Sequence, residues 1–132
     1  MRAGASKRIT NLDYLTDLSK GNTLFVDEMI EIFIAESPDE IIVLEKAIHE
    51  KDFKLIKSCA HKMISTIPFV GLDKIIETEV SEIEKLASAQ AGSSAEFIQA
   101  PSEGLIKNIK KIEVLFSRIK EVYRLAILEL KE

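Results

Sequence analysis

Apolar residues in this chain recur at alternating steps of three and four, and that spacing constrains its fold more than any other feature. Between positions 53 and 70, Phe53, Ile56, Ala60, Met63, Ile67 and Val70 fall on this spacing. Side chains so placed share one face of a helix with 3.6 residues per turn, whereas a half-buried strand would alternate every second residue. Two further stretches repeat the pattern. Ile76, Val80, Ile83 and Ala87 form one stripe; Leu105, Ile109, Ile112, Phe116, Ile119, Tyr123, Ala126 and Leu130 form another. Strand alternation of useful length is absent, as is any repeat of 20 to 50 residues. With 5 Gly and 3 Pro, the chain also lacks the turn residues of a sandwich or barrel. The expected class is all-α.

Capping residues divide the chain. Asn11 is placed to cap a short helix from Leu12 to Ser19, and Gly21 breaks it. Thr23 is the expected cap of the next helix, with Phe25, Met29, Ile32 and Phe33 on one face. Ser37-Pro38-Asp39-Glu40 reads as a helix start, with Ser at N-cap, Pro at N1 and Glu at N3. The same four residues fit a kink within one continuous helix over 22–50. Beyond them Ile41, Leu44 and Ile48 continue an apolar face. Asp52 caps the helix that carries the cleanest stripe, and Gly71 ends it. Another helix opens at Leu72 or Asp73. Small and turn-forming residues dominate positions 91–104, which read as a loop. The final helix adds Leu115, Val122, Ile127 and Leu128 to its stripe. That face is wide enough to cover the first helix or a second subunit. Four long helices with short connections predict an antiparallel four-helix bundle in a single domain over 11–132, preceded by a flexible tail over 1–10.

Composition excludes several classes. Apolar residues make up 46% of the 132 and charged residues 30%, which is globular rather than disordered composition. A single cysteine excludes an intramolecular disulfide framework and a cysteine-based zinc site. The net charge of −4 argues against a broad basic surface for nucleic acid. No uncharged apolar run approaches the roughly 18 residues of a membrane span, and the basic N-terminus is not followed by the apolar region of a signal peptide. The expectation is a cytoplasmic protein that binds neither nucleic acid nor membrane. Glycine-rich phosphate loops, nucleophile elbows and zinc-binding helix motifs are absent from the sequence. Neither His49 nor His61 has Glu three residues before it, so no di-iron carboxylate pattern is present.

His61 is the residue that stands out. Counting about 100° per residue from the stripe between Ala60 and Met63, it points roughly 130° away from the interior. Lys57 lies one turn earlier, Ser65 one turn later, and Lys54 and Pro68 two turns away. Ile64 lies between this face and the interior. Such a patch suits an anion and a partner protein. His49, by contrast, reads as a surface residue at a helix C-terminus. Cys59 reads as a half-buried packing residue, Tyr14 and Tyr123 as packing residues with wet hydroxyls, and Lys107, Lys110 and Lys111 as a solvated helix face.

The segment CAHKMISTIPFVGL over 59–72 resembles the signature of histidine-containing phosphotransfer (HPt) domains. Their motif runs Ala-His-x-Leu-Lys-Gly-Ser/Ala, with an apolar residue and Gly nine and ten positions after the His. Ala60-His61 match, Met63 stands for the Leu, Thr66 takes the small position, and Val70-Gly71 match the later pair. The acidic, apolar helix upstream and the periodic helix after Gly71 follow the family's order. The resemblance covers about 12–90, and the final helix fits the family's closing helix.

The resemblance implies that His61 accepts a phosphoryl group from the aspartyl phosphate of a receiver domain and passes it to another, in a multistep two-component phosphorelay. Its partners would be response-regulator receiver domains or a hybrid sensor histidine kinase. It implies a phosphocarrier rather than an enzyme, with no cofactor of its own, because the receiver supplies Mg²⁺. Neutral imidazole is a competent nucleophile near pH 7, and a transferring phosphoryl group needs positive charge and an in-line approach. The chain departs from the motif twice: Ile64 replaces the Lys, and Ser65 the Gly. Lys62 points about 100° from His61 and replaces the missing Lys imperfectly. Lys57 and Lys54 are better placed, and Ser65 is a candidate phosphate donor. Ile64, Pro68 and Lys62 are the candidate docking residues. Pro68 cannot donate to the carbonyl of Ile64, so a bend is expected below the site. Two alternatives stay open: a receiver-binding adaptor that is not phosphorylated, motivated by Ile64, and an unrelated helical bundle that dimerises through its last helix rather than remaining monomeric.

Overall fold

The computed structural model describes residues 8–91 and 103–131. It contains five α-helices: α1 (Asp13–Ser19), α2 (Thr23–Glu50), α3 (Phe53–Thr66), α4 (Asp73–Ala91) and α5 (Glu103–Leu130). A 3₁₀ turn over Ile67–Val70 links α3 to α4. The protein is all-α, with no strand among the described residues. Of the loop expected over 91–104, the N-terminal residue belongs to α4 and the last two to α5; the remainder lies outside the described residues.

Helix starts follow local chemistry. The Asp52 carboxylate accepts from the Leu55 N–H at 3.2 Å, as its position before the stripe implied. At the start of α2 the cap is Asn22 rather than Thr23, with Asn22 Oδ1 accepting from the Phe25 N–H at 3.2 Å. Asn11 Oδ1 accepts from Asp13 N–H at 2.8 Å, and Leu12 holds the cap position of α1. Helix α2 runs unbroken through Pro38. Ser37 is buried at 1% exposure and does not act as a cap. The stripe Phe33, Ser37, Ile41, Leu44 and Ile48 stays in phase across the proline. Burial on both sides, worth about 1.5–3 kcal/mol for each large apolar side chain, outweighs the roughly 3 kcal/mol that an interior proline costs.

Pro68 has the expected consequence. The α-helical ladder of α3 ends at Thr66, and the chain tightens into the 3₁₀ turn. Gly71 then takes φ +78°, where its N–H bonds the Pro68 carbonyl, and α4 runs back along α3. A side chain at Gly71 would also collide with the segment leading into α1. A Cβ there would stand 2.7 Å from both the backbone N and O of Asn11. Asn11 N–H donates to the Val70 carbonyl at 2.9 Å, so two chain segments meet at this glycine.

The interior is continuous. Ile56, Ala60, Met63, Ile67 and Val70 from α3 and its turn meet Ile76, Val80, Ile83 and Ala87 from α4, and Ile112, Phe116, Ile119 and Tyr123 from α5. Helix α2 adds Phe33, Ile41, Leu44, Ala47 and Ile48. Phe25 and Ile32 do not join Phe33; they remain 37% and 47% exposed. At about 100° per residue, Ile32 lies to one side of the arc that meets the neighbouring helices. Leu128, read as part of the α5 stripe, is likewise 52% exposed. Helix α1 packs on α2 and the 3₁₀ turn, where Tyr14 and Phe69 place their ring centroids 5.9 Å apart.

Residues 8–10 of the expected tail are tied down. The Glu129 carboxylate accepts from Ile9 N–H (2.8 Å), Thr10 N–H (3.1 Å) and the Thr10 hydroxyl (2.8 Å). Arg8 stands 3.8 Å from the same group. Residues 1–7 lie outside the described residues. Tyr123 also departs from expectation: it is buried, its ring lies 5.6 Å from that of Phe33, and its hydroxyl makes no hydrogen bond of good geometry among the described residues, with the Thr66 side chain close to it. Burial pushes that phenol well above its ordinary range, with the Glu40 carboxylate adding to the effect.

Candidate functional site

His61 occupies the middle of α3, two positions before the buried Met63 and one after the buried Ala60. Its side chain is 78% exposed, as the helical phase required. The phase could not show its partner. Nδ1 of His61 lies 2.9 Å from Oε2 of Glu84 on α4. Glu84 follows the fully buried Ile83, so its backbone sits against α3 while its carboxylate reaches the rim. A carboxylate accepts, so in the neutral imidazole this contact places the hydrogen on Nδ1 and the lone pair on Nε2.

An open groove between α3 and α4 surrounds this pair. Lys54, Lys57 and Ser58 line it from α3, and Glu84 and Ser88 from α4. Lys57 and Lys54 sit one and two turns before His61, on the side that the sequence assigned them. Lys62 lines the same groove, yet its ammonium lies 3.4 Å from Glu40 on α2. Its charge is drawn toward the opposite flank of α3.

The remaining predicted residues divide differently. Ser65 is exposed, but its hydroxyl donates to the Lys62 carbonyl at 2.7 Å and does not line the groove. Ile64 is half-buried and packs against the interior. Pro68 is half-buried in the 3₁₀ turn, and Gly71 is buried against Asn11. Gly71 thus shapes the hairpin that carries His61 and Glu84 without touching either.

Other candidates carry less chemistry. Cys59 is half-buried, and burial pushes its thiol up, with the Glu40 carboxylate adding to that and Lys62 opposing it. A thiol so placed is a poor nucleophile. His49 is exposed in the last turn of α2. No group of three His, Cys, Asp or Glu side chains is arranged to hold a metal ion among the described residues. No described helix is long and apolar enough to cross a membrane.

Glu84, Ser58 and Ser88 are the groove residues that sequence reading missed. Comparison with family models, with curated proteins and with solved structures finds no match for the chain.

Proposed function

We propose that the protein is a histidine phosphocarrier of the HPt kind, an antiparallel four-helix bundle in which His61 takes a phosphoryl group from a receiver-domain aspartate and passes it on. The observation that carries this reading is the exposed imidazole whose Nδ1 meets Glu84 in a groove also lined by Lys54 and Lys57. The motif resemblance around Ala60-His61 and Val70-Gly71 supports it.

The chemistry follows from that geometry. The Nε2 lone pair attacks phosphorus in line with the acyl-phosphate oxygen of the donor aspartate. The N–P bond forms, the O–P bond breaks, and the aspartate leaves as a carboxylate. The imidazole keeps its hydrogen on Nδ1 and becomes cationic, and the Glu84 carboxylate offsets that charge. Lys57 and Lys54 supply positive charge to the phosphoryl oxygens in the role the motif gives to Lys. Onward transfer is the same step reversed onto a second receiver, whose acidic pocket supplies Mg²⁺.

Radiolabel transfer from a set of phosphorylated receiver domains tests the proposal, with wild type beside His61→Gln. Acid-labile, alkali-stable label on the wild type alone is the expected result. Label on both proteins would remove His61 from the role. A second reading follows from Ile64, which packs against the interior where the motif has a cationic side chain: the chain binds receivers without accepting phosphate. Binding without label in the wild type, together with label in Ile64→Lys, would establish that reading instead.

A further inference from the structure

The flank of α3 opposite His61 carries a different chemistry. Residues 21–45 contain seven carboxylates and no Lys or Arg. The remaining sequence has 18 Lys and Arg against 15 Asp and Glu, so the acidity of the chain is concentrated in α2. Two of the seven are neutralised: Glu40 by Lys62 at 3.4 Å and Glu45 by Lys120 at 3.0 Å. Asp27, Glu28, Glu31, Glu36 and Asp39 are exposed and have no ion-pair partner among the described residues.

Apolar surface lies among these charges. Ile32 and Val43 are 47% and 43% exposed. At about 100° per residue, Glu28, Ile32, Glu36, Asp39 and Val43 fall within one narrow arc of α2. This arc borders a furrow against α3 and its 3₁₀ turn. At one end Met29, Ile32, Thr66 and Phe69 line it; at the other, Val43, Cys59 and Met63. Glu36 and Glu40 line both ends, which makes the furrow continuous. From Met29 to Val43 it follows roughly 21 Å of helix, at about 1.5 Å per residue.

An apolar floor with unneutralised carboxylates along one lip selects its occupant by charge. A second copy that brought its own acidic α2 to the furrow would be repelled. A helix with apolar residues on one face and Lys or Arg beside them would fill the floor and pair with Glu36 and Asp39. We propose that the α2–α3 furrow binds a cationic amphipathic helix of a partner protein. This site lies on the opposite flank of α3 from His61, with Lys62, paired to Glu40, lining both, and it does not depend on phosphotransfer.

The test titrates the ¹⁵N-labelled chain with a synthetic helix of about 14 residues, the length of the furrow, bearing leucines on one face and lysines beside them. A peptide with glutamates in place of lysines is the control. Saturable shifts largest on 29–43 and on Cys59, Met63, Thr66 and Phe69 are expected for the lysine peptide, with Lys54, Lys57 and Ser88 of the His61 groove unmoved. Affinity should fall at least about fivefold between about 0.05 and 0.3 M salt, as screening of exposed charges requires. Glu36→Gln/Asp39→Asn, both exposed and isosteric, should weaken binding to a similar degree and reduce its salt dependence, and Ile32→Ser should weaken binding while keeping the wild-type salt dependence. His61→Gln should leave binding unchanged. Equal binding of the glutamate peptide would overturn the proposal. So would shifts centred on the His61 groove, wild-type affinity in the double variant, or a dimer of the free chain that buries Ile32.

Discussion

Replacing Gly71 with alanine tests how the hairpin that presents His61 is held. Gly71 sits at φ +78°, where a Cβ costs about 1–2 kcal/mol. The added Cβ would also stand 2.6 Å from Asn11 Cβ and 2.7 Å from the Asn11 backbone N and O. Backbone atoms cannot rotate away, so the segment before α1 must move. Movement breaks the 2.9 Å bond from Asn11 N–H to the Val70 carbonyl, worth about 1 kcal/mol. It also loosens Ile9 and Leu12, which pack against the interior. Together these effects predict a loss of about 3 kcal/mol.

Gly21 is the internal control. Its φ is +85°, and nothing lies within 4 Å of an added Cβ. Gly21→Ala therefore pays only the conformational cost, about 1–2 kcal/mol. Urea unfolding followed by far-UV circular dichroism would measure both. The expected result is a loss in Gly71→Ala at least about 1 kcal/mol greater than in Gly21→Ala, with the same dependence on urea. Equal losses would show that the close approach to Asn11 carries no energy, and the account of this glycine would fail.

Three further outcomes follow from single side chains. Burial pulls the Glu129 carboxyl up, but donors from Ile9 and Thr10, with Arg8 nearby, outweigh it and hold it below its ordinary 4.5. A carboxyl lower in the folded state stabilises above its ordinary value and loses that contribution as pH falls through the folded one, so the stability gap between wild type and Glu129→Gln should be full near pH 7 and shrink below about 4.5 in urea titrations. Tyr123→Phe removes a buried hydroxyl that makes no hydrogen bond of good geometry among the described residues and should change stability by no more than about 0.5 kcal/mol, or raise it, whereas a loss above about 1 kcal/mol would show that its approach to the Thr66 side chain is a working hydrogen bond. Glu84→Ala should slow phosphoryl transfer about tenfold, equivalent to about 1.4 kcal/mol, and should shift the ¹⁵N signals of His61 away from the Nδ1–H tautomer; unchanged imidazole signals would end the positioning role.

Which parts of the fold the sequence disclosed depends on the kind of signal involved. Stripes at steps of three and four identified α3, α4 and α5 because a helix face is a property of one segment. Every stripe residue from Ile56 to Val70 is buried. The α2 stripe was misread because its first half carries apolar residues on more than one side, and sequence spacing cannot say which side meets a neighbour. Pro38 left two readings open for a related reason. Local geometry favours a break there, and only the burial of Phe33 and Ser37 before it and Ile41 and Leu44 after it decides for a continuous helix. The cap of α2 fell between Asn22 and Thr23, two residues of equal capping chemistry. The clasp of Glu129 on residues 9 and 10 spans nearly the whole chain, and no local pattern announces it.

The site divides along the same line. Exposure of His61 follows from one helix and was legible. Its bond to Glu84 needs two helices placed in register, and the register is set by the turn between them. From His61 to Gly71 the chain climbs six residues of α-helix and four of 3₁₀ turn, about 17 Å at rises of about 1.5 and 2.0 Å. Counted from Leu72, just before α4, the return matches that height after roughly 11 or 12 residues, near Ile83 and Glu84. Ile83 belongs to the buried stripe, so Glu84 is the neighbouring carboxylate left at the rim of α3. Proline at 68 lengthened the count by ending α3 in a 3₁₀ turn, and an all-α climb of the same ten residues would be matched after about ten residues of α4, short of Glu84. The proline expected to bend the helix below the site therefore helps set which carboxylate meets the imidazole.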